Sequence, residues 1–453
     1  MQSVNPFTGE VIAEYQEYRW EDVDGRLVAA HNAFLDWRRV SFSERSAVLR
    51  SAAKRLEARK DELARLMAIE MGKPVTAGRA EVEKCAWVCN FYADEAEGML
   101  ADVVIPTERT KSYLHHEPLG PVLAVMPWNF PFWQVFRFLA PALMAGNAGL
   151  LKHSSNVSGC ALAIEEVMNE SGIPDGLFST LLIGSSMVDR VIDHPAVVAA
   201  TLTGSDPAGR AVAAKAGAVL KKTVLELGGS DPYLVMADAD VAAAAATCAA
   251  SRLINSGQSC ICAKRFIVVE EVVEEFTRMF VENMASTTMG DPMLESTKLG
   301  PMARHDLRDE LHKQVIRTID AGGKLLLGGE VPDGPGAFYP PTVLAGVEKG
   351  MAAYHEETFG PAAAIITVAD EEEAIQVAND SQFGLGAAIF SKDVARAEQI
   401  AATRLEAGAA FVNAFVASDP RLPFGGIKTS GYGRELAALG IREFVNQKTV
   451  VVA

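Results

Sequence analysis

Pro121-Val122-Leu123-Ala124-Val125-Met126, followed by Pro127-Trp128-Asn129-Phe130-Pro131, is an apolar run that ends in a proline-flanked turn. The run reads as a buried strand, and it opens a new pattern in the chain. Gly149 to Lys152, Phe178 to Leu182, Val197 to Thr203 and Leu220 to Leu225 read as further strands, with helical segments near Phe132, Ser158, Met187 and Asp206 between them. This alternation predicts a parallel, doubly wound sheet. A second series begins after Gly229, with strands at Tyr233 to Met236, Lys264 to Val269, Ala362 to Val368, Leu385 to Phe390 and Ala409 to Asn413. The expected fold class is therefore α/β, with two doubly wound parallel-sheet domains and a cleft between them as the natural site.

Upstream, Asn5-Pro6-Phe7-Thr8-Gly9 reads as a turn in an arm-like segment, and Ser43 reads as the N-cap of a helix. Its apolar positions run through Leu49, Ala52, Leu56, Leu63 and Met67 until Gly72-Lys73-Pro74 stops it. A second helix runs to about Leu100, with Val82, Cys85 and Cys89 on one core-facing stripe. Thr110 to Glu117 and Phe444 to Val452 look like strands that belong to neither sheet. An isolated hairpin is marginal in water, so they are expected to pair with each other and with another subunit.

Composition narrows the function. A chain of 453 residues is too long for one core. Its 42 basic and 58 acidic side chains give a net charge of −16, and no Lys/Arg run is long enough to follow a phosphate backbone. Nucleic acid and anionic membrane are not expected as partners. The start of the chain has no apolar signal region and no stretch approaches the roughly 20 apolar residues of a membrane span, which points to the cytoplasm. Six cysteines without Cys-x-x-Cys or His-x-x-x-His spacing suggest neither a disulfide framework nor a metal site.

The chemistry is expected in Asn255-Ser256-Gly257-Gln258-Ser259-Cys260-Ile261-Cys262-Ala263-Lys264-Arg265. This polar turn between an Ala-rich helix (Asp240 to Ile254) and a strand lets Cys260 face a cleft. A lone cysteine is more often an inert core residue, but other stretches supply what a thiolate nucleophile needs. The turn after Met126 presents the Asn129 amide at the carboxyl edge of a sheet, where it could stabilise an oxyanion. Glu226, at the end of an apolar strand, should have a raised pKa and could act as a base, unless it pairs with Lys221 or Lys222. Thr203-Gly204-Ser205, with Gly209, lies at a strand-to-helix junction suited to phosphate. Gly-x-Gly-x-x-Gly is absent, which argues against an ordinary Rossmann dehydrogenase.

Together these residues resemble the aldehyde dehydrogenase superfamily over nearly the whole chain. The motifs are Pro127-Trp128-Asn129-Phe130-Pro131, Leu151-Lys152, Thr203-Gly204-Ser205, Glu226-Leu227-Gly228-Gly229, Gly257-Gln258-Ser259-Cys260, Glu357-Thr358-Phe359-Gly360-Pro361 and Pro423-Phe424-Gly425-Gly426. The resemblance implies that Cys260 is the nucleophile, that Asn129 and the Cys260 N–H form the oxyanion hole, and that Glu226 is the general base. Trp128, Lys152, Ser155, Gly204, Ser205, Gly228, Glu357 and Phe359 are implied to bind the cofactor: Lys152 and Glu357 at the riboses, Ser205 at the pyrophosphate, Phe359 behind the nicotinamide. It also implies a cofactor-binding domain (1–109 and 123–228), a catalytic domain (229–424), an oligomerisation arm (110–122 and 441–453) and a return segment (425–440), in a homodimer or homotetramer.

Gly228-Gly229-Ser230-Asp231-Pro232 and Gly300-Pro301-Met302-Ala303-Arg304 look most like the short succinate-semialdehyde dehydrogenases. The implied reaction is oxidation of an aldehyde to its acid through a cysteine thiohemiacetal and thioester, with succinate semialdehyde as substrate. A broader semialdehyde or aliphatic aldehyde dehydrogenase is the alternative. An acyl transfer to coenzyme A would need no base for water, and a cysteine hydrolase would need a histidine partner that no motif provides. Members that prefer NAD usually have a Glu three residues after the position of Lys152; here Ser155 stands there, so NADP is expected, with NAD accepted. Arg137, in an aromatic stretch, and Ser418 are the residues expected to grip a distal carboxylate, with a structural ion pair as the alternative role for Arg137. A second Arg found in some relatives six positions before the nucleophile is Ile254 here. Cys262 is a candidate redox partner for Cys260, since i and i+2 side chains share a face with Cα atoms roughly 6.5 to 7 Å apart; the plain alternative is that it only packs.

Overall fold

The computed structural model describes residues 1–453. Two parallel sheets dominate it. The six-stranded sheet has the order Gly431–Tyr432, Lys222–Glu226, Ala199–Thr203, Pro121–Met126, Ala148–His153, Phe178–Thr180, and is parallel except for its first, antiparallel strand. The seven-stranded sheet has the order Lys324–Leu327, Thr342–Ala345, Ala362–Val368, Ala263–Val269, Asp231–Val235, Gly386–Phe390, Ala409–Val412; its first two strands pair antiparallel and the rest are parallel. Both expected series are present, each extended at one edge by strands too short for the pattern to show.

Strands in such sheets are buried on both faces, which is why they read as continuous apolar runs. In the seven-stranded sheet Tyr233, Phe266 and Val268 belong to one hydrophobic cluster and Leu234, Ile267 and Val269 to another, as the two-residue side-chain period requires. The six-stranded sheet instead shares one large core with the N-terminal helices.

Three local expectations are corrected. The helix starts at Phe42, because Ser41 rather than Ser43 is the N-cap: its hydroxyl accepts from the Glu44 N–H and the Glu44 carboxylate reaches back to the Ser41 N–H. That helix breaks at Arg59 into Phe42–Ala58 and Lys60–Met71, and Gly72, at φ +77°, ends the second piece. The N-terminal segment is no free arm: Gln2–Val4 and Val11–Glu14 form a hairpin, and buried Ser3 donates to Glu70 at 2.6 Å. The two stray strands do pair with each other, Lys111–Pro118 against Val445–Val452, in register from Val445 with Pro118 to Val452 with Lys111; Val103–Val104 adds a third strand. No helix is long and apolar enough to cross a membrane.

Candidate active site

The nucleophile turn follows the helix Val241–Leu253 and precedes the strand Ala263–Val269. Between them Asn255 (φ 53°), Ser256 (φ 56°) and Gly257 (φ 73°) are all left-handed, a conformation that only glycine adopts without cost. A Cβ at Gly257 would also overlap the Gly360 carbonyl. The surrounding polar groups hold this strain. Buried Arg252 donates to the carbonyls of Gly257 (2.6 Å) and Ala263 (2.8 Å), and Lys264 donates to those of Ser259 (3.0 Å) and Cys260 (2.7 Å). Cys260 is half-buried. Burial pushes its thiol up to about 12, with Lys264 and then Arg137 opposing the rise.

Asn129 comes to this turn from the other sheet. Its side-chain amide donates to Gln258 O (3.1 Å), while Asn255 donates to Asn129 O (2.7 Å) and to Gln258 O (3.1 Å). One amide proton of Asn129 is thus used for positioning, and the second is available to an oxyanion. Glu226 ends the strand Lys222–Glu226 and is 1% exposed, with no hydrogen-bond partner for either carboxylate oxygen. It does not pair with the neighbouring lysines: Lys222 bridges to Glu443, and Lys221 donates to the carbonyls of Ile192 and His194. Burial raises its pKa well above the carboxylate range, and the Glu435 charge raises it further against Arg137 and Arg434.

Two cavities meet at the thiol. One, of about 290 Å³, is lined by Cys260, Trp133, Arg137, Phe424, Ser418 and Lys84 among others. The other, of about 250 Å³, is lined by Trp128, Asn129, Gly204, Ser205, Gly228, Glu357, Phe359 and again Cys260, the one residue common to both. Most of the expected cofactor residues are thereby brought together. Trp128 and Phe359 meet edge to face with centroids 5.8 Å apart. Ser205 precedes the helix Asp206–Ala218, whose first-turn N–H groups have no side-chain cap. The Glu357 carboxylate accepts from the Gly229 N–H (3.1 Å), pairs with Lys264 (3.3 Å), and lies where a Cβ on Gly228 would be. Lys152 and Ser155 lie outside this cavity, at the end of the adjacent strand Ala148–His153 and the start of the turn that follows it. Burial lowers the Lys152 pKa against the charge of Glu17.

Arg137 and Ser418 both reach the first cavity, but in different states. Arg137 is 2% exposed and ion-paired with Glu435, donates to Thr203 Oγ1 (3.2 Å), and lies over the Phe424 ring. It both lines the cavity and is ion-paired, while burial raises the pKa of its partner Glu435 against the Arg137 charge. Ser418 accepts from Lys84 (2.8 Å). Cys262 is buried, and its Sγ donates to Ile254 O at 3.4 Å. Lys84, Arg252, Asn255, Lys264 and Glu435 were not singled out from sequence. Arg252, Asn255 and Lys264 lie in or beside the nucleophile segment, where a buried charge or a left-handed Asn is a legible signal. Lys84 and Glu435 act across hundreds of residues and leave no local trace.

The Aldehyde dehydrogenase family model matches residues 1–450. A probable NADP(+) succinate-semialdehyde dehydrogenase of Synechocystis is 49% identical over 451 residues, spanning 100% of this chain and 99% of that protein. The NADP(+) succinate-semialdehyde dehydrogenase 1 of Mycobacterium tuberculosis is 47% identical over 456 residues, with the same coverage. The crystal structure of succinic semialdehyde dehydrogenase from Streptococcus pyogenes in complex with NADP+ superposes with a TM-score of 0.97 at 38% identity, covering 100% of this chain and 99% of that one. With this agreement in sequence and architecture along its whole length, the chain belongs to the aldehyde dehydrogenase family.

Proposed function

We propose that this enzyme oxidises succinate semialdehyde to succinate with NADP, and accepts NAD less well. The observation that carries the reading is the thiol of Cys260 shared by two cavities, one walled by aromatic and cationic side chains, the other by a strand-to-helix junction and the Trp128–Phe359 pair. The second cavity fits a nicotinamide dinucleotide: uncapped helix N–H groups suit a pyrophosphate, and the Glu357 carboxylate suits ribose hydroxyls. Lys152 and the exposed Ser155 hydroxyl suit a 2′-phosphate, as the NADP(+) designation of the relatives supports.

The bound nicotinamide supplies the hydride acceptor. The chain supplies the rest. Cys260 gives its proton to Glu226, which passes it on to solvent, and its sulfur bonds to the aldehyde carbon, while Asn129 and the Cys260 N–H donate to the resulting oxyanion. After hydride has left, Glu226 takes a proton from the water that adds to the thioester. The carbon–sulfur bond then breaks, releasing the acid and returning the thiol. In this reading residues 1–109 and 123–228 bind the cofactor, 229–424 carry the nucleophile, and 425–440 return the chain to the cofactor unit. Residues 110–122 and 441–453 join subunits into a homodimer or homotetramer, the unpaired edge of Val445–Val452 being the supporting feature. The cytoplasm is the expected compartment.

A panel of aldehydes with and without a terminal carboxylate tests the reading. Succinate semialdehyde should exceed butanal in kcat/KM by at least about tenfold; equality of the two would overturn the substrate assignment.

A further inference from the structure

Three cations line the cavity on the substrate side of Cys260, and two of them are spoken for. Lys73 is paired with Glu81, and Arg137 with Glu435. Lys84 has no such partner. It sits on the helix Val75–Met99, with its ammonium 2.8 Å from Ser418 Oγ and 4.3 Å above the Trp133 ring.

The acids around Lys84 are committed elsewhere. Glu81, one turn back on the same helix, holds Lys73 and accepts from the N–H groups of Phe132 (2.9 Å) and Trp133 (3.0 Å). Glu83 is bound to Lys60 at 2.6 Å, and Asp419, on the facing loop, is held by Arg421 through contacts of 2.6 and 2.9 Å. Apart from these groups the walls are largely apolar, with Phe130, Ile254, Ile261, Phe415 and Val416. An ammonium in such surroundings is costly without a counter-ion.

We infer that Lys84 determines the selection of substrates with a distal carboxylate, by serving as the counter-ion of that carboxylate while Ser418 fixes its direction. The inference rests on the proposed reading that the aldehyde enters this cavity. It assigns this role to Lys84 because Arg137, unlike Lys84, is already ion-paired, with Glu435. Arg137 remains close enough to act on the site's field, and Lys84 feels it.

The titration behaviour agrees with this geometry. Burial, then the charge of Arg137, lowers the Lys84 pKa to about 8; Cys85 and Glu81 on its own helix and Asp419 on the facing loop oppose the fall. Lys73, the remaining cation of the cavity, is itself bound to Glu81. As pH rises through about 8 the free enzyme loses the Lys84 charge. The preference for a charged substrate should therefore decline above that pH, through KM more than kcat.

The test compares succinate semialdehyde with butanal, and measures inhibition by succinate, in the unaltered enzyme, Lys84→Met and Lys84→Arg from pH 6.5 to 9.5. In Lys84→Met the ratio of the two kcat/KM values should fall by about 10- to 100-fold, with succinate inhibition weakened to match. Lys84→Arg, whose guanidinium stays charged, should keep the preference and lose its decline above pH 8. A preference retained within threefold in Lys84→Met, or an unchanged alkaline decline in Lys84→Arg, would overturn the role of Lys84 and leave the substrate reading intact. Absence of any preference in the unaltered enzyme would overturn both. Should Lys84→Met fail to fold, the pH profile of Lys84→Arg still decides.

Discussion

Replacing Glu226 by Gln removes a base while keeping the shape of the side chain, and the structure predicts two separable effects. The first is kinetic. Both carboxylate oxygens lack a hydrogen-bond partner and are free to accept, whereas the neighbouring acid, Glu435, is ion-paired with Arg137. Loss of a general base costs about 10²- to 10⁴-fold, and without a substitute the upper part of that range, about 10³-fold or more, is expected. The loss should fall on thioester hydrolysis, so rapid mixing should still give a burst of reduced cofactor of about one equivalent per active site, followed by a slow steady rate. The second effect is on stability. The folded-state pKa of Glu226 is raised, so the unfolded chain ionises first and stability falls as pH climbs from about 4.3 towards the folded value. Gln escapes this penalty. The Tm of Glu226→Gln relative to the unaltered protein should rise across that window and then level off, each pKa unit being worth about 1.4 kcal/mol. Loss of the burst, or a fall in steady-state rate of less than tenfold, would refute the assignment of Glu226 to the hydrolytic step.

Cys260→Ala should abolish dehydrogenase activity and Cys262→Ala should leave most of it; the reverse pattern in a steady-state assay would displace the nucleophile. If the two thiols can bridge, peroxide should inactivate the unaltered enzyme reversibly, with thiol reductant restoring it, and Cys262→Ala should lose that reversible component. Ser155→Glu should move the ratio of kcat/KM values by about tenfold toward NAD, through repulsion of a 2′-phosphate; an unchanged ratio would remove Ser155 from cofactor choice. Gly257→Ala should lower stability by at least about 2 kcal/mol, since a left-handed alanine and an overlap with Gly360 are both imposed. A Tm within a degree of the unaltered protein would show that the turn relaxes freely.

The interior of the fold was legible because its strands are buried on both faces and read as apolar runs between turn residues. The edges were not. Lys324–Leu327 and Gly431–Tyr432 are only four and two residues long and largely exposed, too short for either an apolar run or an alternation to mark them as strands. Ser41 and Ser43 offer the same hydroxyl two residues apart, and only Glu44, three residues after Ser41, distinguishes the true N-cap. At the site, Cys260, Asn129, Glu226 and the glycine-rich turns stand in local contexts that advertise them. Arg137 showed its presence but not its charge balance, because Glu435 comes from the far end of the chain. Lys84 was silent for the same reason: its hydroxyl partner, Ser418, is 334 positions away.

The strand Gly431–Tyr432 lies beside Glu226, pairing Gly431 with that residue, and Glu435 follows four positions later. In order of synthesis this is late. A chain emerging from the ribosome has made Asn129, Glu226 and Cys260 long before it makes the segment that closes over the base and sets its charge environment. In the finished fold that late segment covers the sheet edge at Glu226 and brings up Glu435, whose charge adds to burial in raising the pKa of the base. The surroundings that tune the base are thus built from the part of the chain made last.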